Sequence, residues 1–326
     1  MKTEILKMLK EADHYVSGQQ LCQRFGVSRT AVWKIIGQLK DEGYAIQAVR
    51  NKGYRLVESA DVITRAELES LMNTEWAGTN LEYFDETDST NIRARQLAED
   101  GAPHGTLVTA DSQFAGKGRR GRSWIAPKGQ GIWMSMVLRP DIEPQNASML
   151  TLVAALAVSD GIKKSTGLDV SIKWPNDIVC RGRKLCGILT EMSTEADWIR
   201  YCVVGMGINV NMETFPGELK EKATSLRMEL KQPVKRSPVI CACMEAFEYY
   251  YGIFIQTGDL SALVDAYNGL SANLAQTVTV LDPAGEYQGE ALGIDSQGSL
   301  LVKCIGGEIR RVISGEVSVR GIYGYV

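Results

Sequence analysis

Along the first 60 residues the apolar positions recur at helical spacing and then change to strand spacing. Ile5, Leu6, Met8 and Leu9 mark one face of a first helix. Leu21 and Phe25 belong to a short second helix, opened by Ser17-Gly18 and closed by Gly26. Val32, Ile35, Ile36 and Leu39 define a third, with Ser28 as its N-cap and Gly43 placed for a left-handed C-terminal cap. Tyr44 to Val49 and Tyr54 to Val57 read as strands, joined by Arg50-Asn51-Lys52-Gly53, where Asn and Gly tolerate positive φ. Three helices followed by a hairpin are the plan of a winged helix-turn-helix.

Residues 61–79 read as a helical linker ending at Gly78. Beyond it strands and helices alternate: strand Leu81 to Asp85, helix Asn91 to Glu99, strands Thr106 to Ala110 and Ile132 to Leu138, and a long apolar helix Asn146 to Ser165. Strands Val170 to Lys173, Lys184 to Met192 and Trp198 to Val204 follow through short turns, predicting an antiparallel or mixed sheet backed by helices. Helices Pro238 to Ile255 and Leu260 to Tyr267 close this unit. From Thr277, about five short strands with turns at Asp282 to Gly285, Asp295 to Gly298 and Gly306-Gly307 read as a small β-barrel. The expectation is an α+β multidomain chain: winged helix-turn-helix over 1–60, linker over 61–79, a central mixed sheet with helices over 80–270, and a C-terminal barrel over 271–326.

Composition narrows the chemistry. Only two histidines, His14 and His104, are present, which excludes most histidine-dependent mechanisms, from Ser-His-Asp triads to His-rich zinc sites. The seven cysteines are odd in number and scattered without a CxxC pair, so reduced, packed thiols are expected in place of a metal centre. No run of about eighteen uncharged apolar residues occurs, and the start is a charged amphipathic stretch unlike a signal peptide. A cytoplasmic protein with no membrane partner is expected.

The formal net charge of the chain is -3, yet residues 1–58 hold ten Lys or Arg against six acids. That local excess lies on elements that would touch a duplex. Ser28, Arg29, Thr30, Trp33 and Lys34 on the third helix would enter the major groove, Gly18 and Gln19 begin the second helix, and Arg50 and Lys52 on the wing approach phosphates. Such domains also serve as protein-interaction modules.

The densest chemistry is Gln113-Phe114-Ala115-Gly116-Lys117-Gly118-Arg119-Arg120-Gly121-Arg122-Ser123-Trp124. Glycine lets backbone N–H groups approach an anion and the cations neutralise it, so the stretch suits a phosphate or carboxylate. GxxxxGK[ST] is absent. A solvated basic loop or second nucleic-acid patch is the competing reading. Mutual repulsion of Lys117, Arg119, Arg120 and Arg122 predicts that the empty loop is mobile and orders on ligand. A second constellation is Lys173-Trp174-Pro175-Asn176-Asp177, with Arg181-Gly182-Arg183 and Lys184 to Glu191 after it. Pro175-Asn176 makes a turn that sets Asn176 and Asp177 at a strand end, where a metal-bound nucleotide or merely solvent would meet them. Gly205-Met206-Gly207-Ile208-Asn209 follows an apolar strand and says little alone.

Asp88-Ser89-Thr90-Asn91, the glycine-basic loop, Lys173 to Asp177, Lys184 to Gly187 and Gly205 to Asn209 stand in the order and spacing of the biotin protein ligases, and with the basic winged helix before them the chain resembles the bifunctional class that also represses biotin genes. The resemblance implies a catalytic domain like that of class II aminoacyl-tRNA synthetases and a C-terminal SH3-like barrel. It implies that biotin and ATP, assisted by Mg²⁺, give biotinyl-5′-AMP, which a lysine of a biotin carboxyl carrier protein then attacks. Ser89, Thr90, Asn91, Gln113, Lys117, Gly118, Arg119, Lys184 and Gly187 would hold biotin; Arg119, Arg122, Trp124, Lys173, Asn176 and Asn209 would hold ATP or the adenylate. Arg119, Lys184 and Asp177 would act in catalysis, with Asp177 toward Mg²⁺. The adenylate as corepressor, a liganded homodimer and operator DNA complete the implied picture. Lys117 stands where many members have arginine, and a point charge cannot form a bidentate fork. Cys186 stands where alanine is common and reads as packing. A monofunctional or lipoate-type ligase, or a transcription factor with a non-catalytic sensor domain, is the alternative.

Overall fold

The computed structural model describes residues 1–58, 61–195, 197–282, 285–313 and, as backbone, 318–321. The N-terminal unit comprises α1 (Lys2–Glu11), α2 (Gly18–Phe25), α3 (Arg29–Asp41) and the antiparallel pair β1 (Ala45–Val49) and β2 (Gly53–Glu58). Its helices begin where the sequence supplies caps. The Ser17 hydroxyl accepts from the Gln20 N–H at 3.1 Å while Gln20 Oε1 accepts from the Ser17 N–H at 2.8 Å, a reciprocal capping box. Ser28 accepts from the Ala31 N–H at 3.2 Å. Ile5, Leu9, Leu21, Val32, Ile36 and Leu39 form the core of this unit. Gly53 is required where the wing meets the chain before α2, since a Cβ there would lie 2.1 Å from the Val16 carbonyl oxygen.

The linker helix is shorter than its sequence suggests. Only α4 (Arg65–Leu71) forms, capped by Thr64, and Ile63, Ala66 and Leu68 on it and before it are buried. The amides of Glu75, Trp76 and Ala77 donate instead to the distant Glu248 carboxylate at 3.0 to 3.2 Å, which satisfies them without helix. The expected boundary at Ala60 lies outside the described residues.

The central unit runs β3 (Leu81–Phe84), α5 (Thr90–Glu99), β4 (Leu107–Ala110), β5 (Gly131–Leu138), α6 (Met149–Thr166), β6 (Ser171–Lys173), β7 (Asp177–Cys180), β8 (Arg183–Glu195), β9 (Trp198–Asn209), α7 (Leu219–Lys222), α8 (Leu226–Leu230), α9 (Arg236–Thr257) and α10 (Val264–Leu270). Its seven strands lie in the order β3-β4-β5-β9-β8-β7-β6, with β3 and β4 parallel and every other pair antiparallel. The sheet is therefore mixed, as expected. Several boundaries differ, and the strand β7 and the helices α7 and α8 were not expected. Gly205 to Asn209 lie inside β9 and not after it, and α10 starts later than expected because Asp259 accepts from the Ser261 N–H at 2.8 Å in a turn.

Register divides the sheet into two faces. Ile132, Met134 and Met136 of β5, Val204, Met206 and Ile208 of β9, and Cys186 and Ile188 of β8 point into the main core, beneath the apolar α6 and α9. Their neighbours point the other way: Trp133, Ser135 and Val137, then Val203, Gly205 and Gly207, then Gly187 and Leu189. On that second face α5 covers one end through Ala94 and Ala98. Over the glycines stand two side chains, Asn91 against Gly205 and Trp124 against Gly187 and Gly207.

The C-terminal strands β10 (Thr277–Leu281), β11 (Tyr287–Ile294), β12 (Leu300–Cys304), β13 (Ile309–Val312) and β14 (Ser318–Gly321) form an antiparallel sheet in the order β13-β12-β11-β10-β14. Pro283 and Ala284 of the expected 282–285 turn, and residues 322–326, lie outside the described residues. This small unit braces the centre: Trp174 donates through Nε1 to the Gly298 carbonyl at 3.0 Å and through its backbone N–H to Asn273 Oδ1 at 2.8 Å. Among the described residues no helix is long and apolar enough to cross a membrane.

Candidate functional site

These glycines floor a cleft of about 1070 Å³. Two residues use the missing side chains. A Cβ on Gly205 would lie 2.0 Å from Asn91 Oδ1, and Cβ atoms on the paired Gly187 and Gly207 would lie 2.9 and 2.8 Å from the Trp124 indole. The Gly-Met-Gly-Ile-Asn run, uninformative in sequence, thus alternates core residues with room for a carboxamide and an indole. Glycine is used here for close approach, not for left-handed backbone.

The start of α5 forms one end of the cleft. Thr90 donates through its N–H at 2.7 Å and its hydroxyl at 3.1 Å to Gln113 Oε1. Asn91 donates to Glu191 Oε2 at 2.7 Å and accepts from the Ser135 hydroxyl at 2.6 Å, so its amide faces inward. Asp88 accepts from the Ser89 N–H at 2.7 Å. Burial would raise the Asp88 carboxyl, but the Ser89 N–H, the Thr87 hydroxyl and Arg93 outweigh it and hold it below its ordinary value.

The glycine-basic stretch folds as a small hairpin over the floor. Lys117 pairs with Ser123, the Gly118 N–H donates to the Arg122 carbonyl at 2.7 Å, and the Trp124 N–H donates to the Gly116 carbonyl at 2.8 Å. A tight turn over Arg119–Gly121 puts Arg120 at φ 56 and directs Arg119 inward, where it donates to Asn176 Oδ1 at 2.8 Å. Burial lowers the Arg119 pKa and the facing Asp177 works against that shift. Arginine is not deprotonated in proteins, so the guanidinium stays charged.

At the far end Lys184 reaches Asp177 Oδ1 at 2.6 Å and lies 5.3 Å from the centre of the Trp124 ring. Asn176 donates to the Ile188 carbonyl at 3.0 Å while accepting from Arg119. Asn209 donates to the Thr224 carbonyl at 3.1 Å.

All fifteen residues expected to serve the enzyme, from Ser89 to Asn209, line this one cleft. Sequence reasoning passed over Met212, Phe215, Glu218 and Lys222, which also line the cleft and carry no recurrent pattern. It also passed over the support given to Arg181 and Arg183 by the buried Glu229, at 3.2 and 2.6 Å. On the winged helix, Gln19, Ser28, Arg29, Thr30, Lys34, Arg50 and Lys52 are exposed, Gly18 is half-buried, and Trp33 is 70% exposed.

A basic, glycine-floored cleft on a mixed sheet, preceded by a winged helix, defines a class of anion-activating synthetase joined to a DNA-binding module. Comparison with known proteins makes the class specific. Residues 83–209 match the biotin/lipoate A/B protein ligase family, 2–55 an HTH domain and 275–320 the biotin protein ligase C-terminal domain. The chain is 40% identical to the bifunctional ligase/repressor BirA of Bacillus subtilis, over 98% of both chains, and 29% identical to that of Escherichia coli, over 93% and 92%. The biotin protein ligase of Aquifex aeolicus, solved with biotin and ATP, superposes with a TM-score of 0.66 at 30% identity, over 74% of this chain and 99% of that one. The chain belongs to the biotin protein ligase family, in its bifunctional ligase/repressor branch.

Proposed function

We propose that the cleft condenses biotin with ATP to biotinyl-5′-AMP and passes the biotinyl group to a lysine of a biotin carboxyl carrier protein, and that the winged helix binds operator DNA of biotin genes with the adenylate as corepressor. The observation that carries this reading is the gathering of Lys117, Arg119, Arg122, Lys173 and Lys184 around one glycine floor. Two anions must meet there. A carboxylate oxygen attacks the α-phosphorus, the bond to the β-phosphate oxygen breaks and pyrophosphate leaves; the acceptor amine then attacks the carbonyl, AMP leaves and the nitrogen loses its proton. Fixed cations and N–H donors lower the first barrier by stabilising charge on the α-phosphate as it develops. No protein nucleophile is required, in keeping with a chain of two histidines.

Ser89, Thr90, Asn91 and Gln113 stand at the biotin head, and Lys117, Gly118, Arg119, Lys184 and Gly187 at its carboxylate. Trp124, Lys173, Arg122, Asn176 and Asn209 serve the nucleotide. Asn176 Oδ1 is engaged by Arg119, so base recognition by that amide requires Arg119 to swing to the phosphate. Among the described residues no three acidic, histidine or cysteine side chains gather to hold a metal. Asp177 is a single carboxylate paired with Lys184, which suits Mg²⁺ carried in on the triphosphate with most of its water. When bound, Mg²⁺ neutralises phosphate charge. Ligand ordering of the 116–122 loop, a liganded homodimer placing two winged helices on one operator, and a cytoplasmic location belong to the same proposal.

The Aquifex relative, solved with biotin and ATP, supports biotin over lipoate. Incubation with biotin, Mg-ATP and a carrier domain should raise the carrier mass by one biotinyl group. No gain, or a gain with lipoate alone, refutes the enzymatic reading. Operator retardation that needs biotin and ATP and is lost in Trp33→Ala supports the repressor reading. Retardation indifferent to both refutes it.

A further inference from the structure

We infer that Glu191 and Ser135 are positioning residues that set the hydrogen-bond polarity at the acid-binding end of the cleft, and with it the selectivity for an acid carrying a ureido head. The inference rests on the reading of the cleft as a biotin site. Three strands in register build the device. Ser135 of β5, Gly205 of β9 and Leu189 of β8 are direct neighbours across the sheet, and Asn91 lies over Gly205. The Asn91 amide meets two acceptors on β8, the Glu191 carboxylate at 2.7 Å and the Leu189 carbonyl at 3.4 Å. Nitrogen must stand there, because an amide oxygen would oppose a carboxylate.

Oδ1 is thereby turned to Ser135, which is fully buried. The single Ser135 proton is shared between Asn91 Oδ1 at 2.6 Å and Thr90 Oγ1 at 2.8 Å. Thr90 therefore accepts from behind and sends its own proton to Gln113 Oε1, which also takes the Thr90 N–H. With Oε1 engaged twice, Gln113 presents Nε2 as a donor, and Thr90 keeps a lone pair for the cleft. A ureido group needs that pair, a donor for its carbonyl and an acceptor for its N–H. Glu191 is the only carboxylate of the five and the one that forbids the opposite Asn91 orientation. Neither Glu191 nor Ser135 need touch the ligand.

Calorimetric titration of biotin and, separately, ATP into the full chain and its Ser135→Ala, Glu191→Ala and Glu191→Gln variants tests this. Ser135→Ala and Glu191→Ala should each weaken biotin about tenfold, the scale of one buried polar group left unmatched, with ATP affinity unchanged. Glu191→Gln should recover most of the loss, since its amide oxygen still accepts from Asn91. Unchanged biotin affinity in both alanine variants overturns the inference. Equal weakening of biotin and ATP also overturns it, by showing a general loss of fold, and so does a Glu191→Gln variant as weak as Glu191→Ala. A wild-type chain that binds no biotin overturns the underlying reading as well, which separates the two failures.

Discussion

A methyl group on Gly205 tests how the cleft floor is built. The Gly205→Ala Cβ would lie 2.0 Å from Asn91 Oδ1 and 2.9 Å from its Cγ, far inside contact distance. The backbone at 205 lies outside the left-handed region, so alanine suits the strand and the whole cost is contact. Asn91 is 5% exposed and held by Glu191 and Ser135 at 2.7 and 2.6 Å, so it cannot retreat without breaking both bonds. Overpacking of this kind costs about 1–3 kcal/mol, and each buried polar group stranded adds about 1–3 kcal/mol. Overpacking with one group stranded removes about 2–6 kcal/mol from a unit whose total is about 5–15 kcal/mol. In calorimetry the transition of the central sheet should fall by roughly 4–24 °C, at about 2–4 °C per kcal/mol for a unit of this size. In an Asn91→Ala background the same methyl meets open space, and the two costs should couple by more than about 1 kcal/mol. A Gly205→Ala chain that melts with the wild type, or costs the same in both backgrounds, refutes the packing described for Asn91.

Three further outcomes are expected. Arg119→Ala should slow single-turnover pyrophosphate release by roughly 2–4 kcal/mol of barrier, and an unchanged rate removes Arg119 from the reacting centre. The depressed Asp88 carboxyl stabilises the fold above its unfolded value and loses that share as pH falls through its folded value; Asp88→Asn should flatten the decline of melting temperature between about pH 5 and pH 3, and equal slopes would contradict the assignment. Burial pushes the Cys180 thiol up to about 11 and the Cys202 and Cys241 thiols up to about 12, while Cys22 and Cys304 are half-exposed; peptide mass mapping after iodoacetamide treatment of the native chain should therefore find label at Cys22 and Cys304, and rapid labelling of Cys186 would show that its strand is not closed.

What the sequence made legible is local or periodic. Ser17, Ser28 and Gly26 act over one turn of chain, and their helices start and stop where those residues stand. Five motifs in order were enough to gather the cleft residues: Asp88 to Asn91 stand at the start of α5, and Lys173 to Asp177 and Lys184 to Gly187 at strand ends that their own turn residues define. The misses share a cause. The helix expected over 61–79 gives way after Leu71 because its amides find Glu248, about 170 residues away in sequence. Gly205 and Gly207 read as the end of a strand because glycine weakens strands; only the pairing with Gly187 and the approach of Asn91 and Trp124 explain why they lie within one. The network from Glu191 through Asn91 to Ser135 needs the register of three strands, which no window of sequence contains.

The register between winged helix and cleft is likewise set by long-range charge. Glu67 on α4 is 2% exposed, accepts from the Tyr44 hydroxyl beside the wing, pairs with Lys10 of α1 at 2.7 Å and accepts from Ser237 of α9 at 3.1 Å. The adjacent Arg236, also 2% exposed, reaches Asp61 at 3.0 Å and Asp111 at 2.6 Å, and Asp111 stands two residues before Gln113, which lines the cleft. An apolar contact tolerates sliding, because one methyl group serves as well as the next. Donors from α1, α9 and Tyr44 converging on one buried carboxylate do not: losing Lys10 leaves its charge uncompensated at a cost of about 3–5 kcal/mol, and losing either hydroxyl removes a hydrogen bond to it worth about 1.5–3 kcal/mol. The helix-turn-helix unit therefore holds a defined place relative to the cleft.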